Sequence, residues 1–171
     1  MTTVEEQRQA LRNFGDDFGY DVSYLEAIIE ASPAAFQAFA PVQGMSSFRR
    51  ALPPEPHFVA RIATVMQEDC GACAQLNITM AQRAGIDREV LRALVRKPAE
   101  LAPILQDVRA HAIAVVGDGP QDPDRFARLQ AAYGKEGMAE LAICIAATRI
   151  YPSLKRAMGT HTSCELLRVD L

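Results

Sequence analysis

The chain has 171 residues, the length of one compact domain rather than two. Apolar residues make up 49% and charged residues 23%, globular proportions that exclude a disordered chain, while the 6% aromatic content and absence of tryptophan favour packed helices over a β-sandwich or barrel. Lys and Arg total 18 against 21 Asp and Glu, and the resulting net charge of −3 offers no footprint for a nucleic-acid backbone.

The first residues lack the basic and apolar regions of a secretory signal. No apolar run approaches the roughly 18 residues of a membrane span, so the chain reads as soluble and cytoplasmic, with no membrane partner. Helical spacing predicts a first helix over 4–14, ended by Gly15 and Gly19. A second begins near Asp21 or Ser23 with Leu25, Ile28 and Ile29 as its apolar stripe. Ser32 then caps a third, which Pro33 opens and which runs to about Ala40. The prolines at 53, 54 and 56 forbid helix for several residues, separating an N-terminal helical arm over 1–52 from a core bundle over 57–159. Both belong to a single domain, followed by a tail over 160–171 without clear period.

The core opens with a hairpin of helices over 57–67 and 70–84, the second ended by Gly85. Asp87 caps a short helix reaching Val95, Pro98 opens one reaching Val116, and Gly117 to Pro120 form a loop. Two further helices cover 124–133, closed by Gly134, and 136–150, before Tyr151 and Pro152 bend or break the chain. The last helix is apolar on most faces and so belongs at the centre or against a partner subunit.

Four cysteines occur, and a cytosolic protein keeps structural disulfides reduced, so Cys70, Cys73, Cys144 and Cys164 point to chemistry, metal or core filling. Cys70 and Cys73 are three apart at a helix start and share a face within disulfide reach. If Asp69 caps that helix, Cys70 falls in its first turn, where free amides and the dipole favour a thiolate. The carboxylates of Glu68 and Asp69 oppose that effect. The pair is also half of a zinc site, which His57 or His161 would have to complete, or simply two small buried residues. Cys144 reads as core, and Cys164 as an incidental thiol.

The Cys70-x-x-Cys73 pair, the following Ala84-Gly-Ile-Asp87, Asp124-x-Phe126 and the apolar helix from Glu140 resemble the AhpD-like alkylhydroperoxidase and carboxymuconolactone decarboxylase superfamily. The resemblance spans roughly 32–159 and implies an all-α, AhpD-like helical bundle that forms a homo-oligomer, a trimer or hexamer. It further implies that Cys73 attacks a small peroxide, Cys70 resolves the sulfenic acid, and a dithiol reductant or redox partner protein restores both thiols, with no cofactor and no metal. The family pattern puts a histidine four residues beyond the second cysteine, where this chain has Asn77, and a glutamate about twelve before the first, where it has Phe58. Asparagine hydrogen-bonds a thiolate but accepts no proton at neutral pH.

A substitute relay lies along the preceding helix, where His57, Arg61, Thr64 and Glu68 form one polar stripe. On that reading Glu68 is the base and His57 or Arg61 tunes it; the alternative is a solvated face. His111 and the Arg49, Arg50, Arg92 and Arg96 cations read as structural or surface residues. A decarboxylase-like enzyme without redox cycling and a non-catalytic oligomeric binding module remain the other functions compatible with these residues.

Overall fold

The computed structural model describes residues 3–160. They form α1 (Val4–Phe18), α2 (Ser23–Ala31), α3 (Pro33–Phe39), α4 (Pro41–Ser47), α5 (Pro54–Gln67), α6 (Gly71–Arg83), α7 (Arg88–Arg96), a 3-10 turn (Pro98–Glu100), α8 (Pro103–Val116) and α9 (Pro123–Ala157). No strand occurs among the described residues, so the protein is all-α. Beyond Thr160 the tail lies outside the described residues.

Local chemistry accounts for most helix ends. Thr3 and Glu6 form a reciprocal capping box at α1, Ser32 Oγ accepts from the Ala35 amide, and Asp87 Oδ1 accepts from the Glu89 amide. Gly15 does not end α1 as its sequence position suggested. It is buried inside the helix, and a Cβ there would lie 2.9 Å from the Tyr20 carbonyl oxygen. The helix ends at Gly19, whose φ of 60° is the left-handed conformation that glycine adopts without penalty.

The prolines are less disruptive than the sequence suggested. Pro54 and Pro56 sit in the first turn of α5, where an absent amide costs no helical hydrogen bond, so the helix starts before His57. Pro41 likewise opens α4, an element that sequence reading missed. The helix expected over 98–116 divides into the 3-10 turn and α8, with Pro103 opening the latter. Gly134 interrupts α9 with φ 67° and ψ 179°, whereas Pro152 does not break it and helix continues to Ala157.

Helix α5 packs against α6, α8 and α9, and its Val59 and Ile62 join Leu91, Leu105, Leu141 and Ile145 in the main core. Each such side chain contributes on the order of 1.5–3 kcal/mol by leaving water. The arm has its own cluster, Tyr24, Leu25, Ile29 and Phe36, against which Leu154 of α9 packs. Between arm and core, the Glu140 carboxylate accepts from the amides of Arg50, Ala51 and Leu52 at 3.0, 3.0 and 2.8 Å. These bonds, the Leu52 amide foremost, hold its pKa below the ordinary glutamate value. The opposite side of α9 is exposed at Ala139, Ala142, Ile143 and Ala146. Among the described residues, no helix is long and apolar enough to cross a membrane.

Candidate active site

The turn between α5 and α6 sets the cysteine geometry. The Glu68 amide donates to Thr64 O at 3.1 Å, Asp69 turns into the left-handed region at φ 53°, and the Cys70 amide reaches back to Val65 O at 3.0 Å. That closure makes Cys70 the residue preceding α6, so Asp69 does not cap the helix and Cys73, not Cys70, lies in its first turn. The two cysteines stand at disulfide distance with Cα atoms 5.2 Å apart. Both are buried.

Cys73 lines a cavity of about 340 Å³; Cys70 does not. The arm contributes Leu11, Phe14, Phe36 and Phe39 to the wall, and the core contributes Arg61, Asn77 and Thr148. Tyr20 also lines it, with Oη 3.8 Å from Cys73 Sγ and 3.4 Å from Tyr24 Oη. Burial pushes the Tyr24 hydroxyl well above the ordinary tyrosine range. Lys155, itself buried, places Nζ 4.4 Å from the Tyr20 ring centroid and 4.9 Å from that of Tyr24. Sequence reading missed Tyr20 and Lys155, and only Gly15 and Gly19, which shape the turn into Tyr20, left a local trace.

The expected site residues divide. Asn77 accompanies Cys73 in the cavity, but its Nδ2 donates to the Cys73 carbonyl at 2.8 Å while its Oδ1 has no partner among the described residues. Glu68 is buried in ion pairs with two α9 arginines: Arg149 Nε at 2.6 Å and the Arg156 guanidinium, which also donates to the Glu68 carbonyl at 3.0 Å. It thereby ties the end of α5 to α9 and does not line the cavity. His57 lies eleven residues before Glu68, about 16 Å along the helix. Burial foremost, then Arg61 and Arg49, lower its pKa to about 4, leaving it neutral, and its Nδ1 has no hydrogen-bond partner among the described residues. The whole stripe of His57, Arg61, Thr64 and Glu68 is buried, which corrects the solvated-face reading, and of the four only Arg61 reaches the cavity.

Cys144 is core: it is fully buried, and burial pushes its thiol up to about 11. His111 is buried with its ring 6.3 Å from that of Phe126. Cys164 and His161 lie outside the described residues. Among those described, no group of three His, Cys, Asp or Glu side chains is arranged to hold a metal ion.

No protein-family model, curated protein or solved structure matches the chain.

Proposed function

We propose that this protein is a thiol redox enzyme of the AhpD-like type, cycling Cys70 and Cys73 between dithiol and disulfide to reduce a small organic peroxide. The observation that carries the reading is a cysteine pair at disulfide distance of which only Cys73 faces an apolar cavity. Cys73 occupies the first turn of α6, a position that favours a thiolate. Its sulfur attacks the outer peroxide oxygen, the O–O bond breaks, and the bonding pair leaves on the alkoxide. The proton given up by the thiol returns to that alkoxide through the Tyr20 hydroxyl, yielding an alcohol and a Cys73 sulfenic acid. The Cys70 thiol then attacks the sulfenic sulfur, the S–S bond forms and water leaves. A dithiol reductant restores both thiols and is itself oxidised to a disulfide.

In this scheme Tyr20 takes the place of the family histidine, Asn77 orients the first turn through the Cys73 carbonyl, and Glu68 positions the α5–α6 turn against α9. The exposed stripe of Ala139, Ala142, Ile143 and Ala146 is the surface for homo-oligomerisation into a trimer or hexamer.

Differential alkylation with peptide mass spectrometry, before and after one equivalent of an organic hydroperoxide, tests the reading. The expected result is a Cys70 to Cys73 disulfide formed within seconds and reversed by a dithiol, with Cys70→Ser stopping at an oxidised Cys73. Thiols that stay reduced would overturn it.

A further inference from the structure

Arg61 brings to the cavity a charge that no carboxylate balances among the described residues. It is only 9% exposed, its Nη1 donates to the Ser46 carbonyl at 3.3 Å, and its Nη2 faces the Met80 sulfur at 3.8 Å. Its Nε has no hydrogen-bond partner, and no carboxylate forms an ion pair with it among the described residues. A buried guanidinium is ordinarily paired, because desolvating an isolated cation costs several kcal/mol. Three further cavity residues from other helices, Gln7 of α1, Asn77 of α6 and Thr148 of α9, also have buried oxygens without partners among the described residues, and of these the Thr148 hydroxyl can donate to an anion while the two amide oxygens only accept. Arg61 is the one charged residue in the described lining, and the remainder is mostly apolar or aromatic, including Leu11, Phe14, Phe36 and Phe39.

We infer that the cavity binds an amphipathic monocarboxylate of the fatty-acid type, its carboxylate on Arg61 and its hydrocarbon chain against the arm. A single cation matches one negative charge, and the apolar wall rewards a hydrocarbon body that inorganic anions lack. A cavity of about 340 Å³ lies within the usual range for small-ligand sites. As a substrate class this rests on the thiol chemistry proposed above: the peroxide delivered to Cys73 is carried on such a molecule, and the electron balance is unchanged.

The test uses the full chain in its disulfide form, titrated calorimetrically with octanoate and with octan-1-ol. The expected result is one octanoate per chain, bound at least about tenfold tighter than the alcohol, since a charge-assisted hydrogen bond gives discrimination of that order. Arg61→Met should equalise the two ligands, and Leu11→Trp should weaken both. Equal affinities in the unsubstituted protein, or no octanoate binding, overturn the inference even if Arg61→Met fails to fold. No peroxide is present, so binding and redox chemistry fail separately. Once turnover is established, a fatty-acid hydroperoxide should exceed its methyl ester about tenfold in kcat/KM. Equal values would remove the carboxylate from substrate recognition.

Discussion

Tyr20 Oη lies 3.8 Å from Cys73 Sγ across 53 positions of sequence. The contact depends on a close turn after α1, where the Tyr20 amide donates to Gly15 O at 2.8 Å and the missing Cβ of Gly15 leaves room for the Tyr20 carbonyl. The helical arm therefore supplies the hydroxyl beside the cysteine pair as well as the apolar wall of the cavity.

Removing that hydroxyl should slow peroxide reduction without disturbing the pair. Tyr20→Phe is expected to lower the rate of Cys73 oxidation about 100-fold, the low end of general acid–base contributions, while the dithiol–disulfide potential stays where it was. Stopped-flow oxidation alongside a redox titration checks both, and an unchanged rate would reduce Tyr20 to packing.

Glu68→Gln distinguishes a structural carboxylate from a catalytic one. It weakens charge-assisted contacts to Arg149 and Arg156, both partly exposed, and should cost about 1–2 kcal/mol in urea unfolding. The rate of Cys73 oxidation should stay at the unsubstituted level. A rate loss with unchanged stability would instead make Glu68 the base.

Acid should destabilise the fold through several groups, among them His57 and Glu140 in adjoining pH ranges, with His111, lowered by burial and Arg125, acting alongside His57. His57 has an ordinary pKa of 6.5 and a native value of about 4. The unfolded chain therefore takes up a proton that the native protein refuses, and stability falls as pH drops from 6.5 to 4. The loss amounts to about 3 kcal/mol. Glu140, lowered from 4.5 by its backbone hydrogen bonds, contributes stability that is present above that pH and lost as pH falls through its native value. Charged neighbours act on His57 as well, Arg61 and Arg49 lowering its pKa and Glu140 raising it. Urea midpoints measured across this range should fall less steeply between pH 6.5 and 4 in His57→Gln, with the remaining slope reduced further by adding His111→Gln; an unaltered slope in His57→Gln would assign the effect elsewhere.

Self-association should run through α9. Ile143→Glu puts a charge in the exposed stripe beside Ala139, Ala142 and Ala146, and sedimentation should show the oligomer dissociating while helix content is kept. A monomeric unsubstituted protein at micromolar concentration would refute the oligomer, and an intact mutant oligomer would move its interface.

Much of this architecture was legible from neighbouring residues alone. The Ser32 and Asp87 caps, the left-handed Gly19 and Gly85, and a cysteine pair spaced three apart act within a turn or two of chain, where covalent geometry restricts the choices. The prolines misled because their effect depends on whether they fall in a first turn, as at Pro54 and Pro56, or further along, as at Pro152. The Asp69 turn misled for a similar reason, since a reverse hydrogen bond from Cys70 to Val65 moved the helix start by a residue and put Cys73 in the first turn.

What only the tertiary structure decided was which side chains share a cavity and which charges lose their water. A polar stripe of period 3.6 reads the same on a solvated helix and on one buried between neighbours, and α5 is the buried kind. Packing of the arm against α6 and α9 brought Tyr20 to Cys73 and Lys155 beneath Tyr20, left Arg61 without a carboxylate partner among the described residues, and placed His57 at the far end of its helix from the thiols. Local spacing determines which residues lie on one helix face; the apolar surfaces that join one helix to another determine what that face meets.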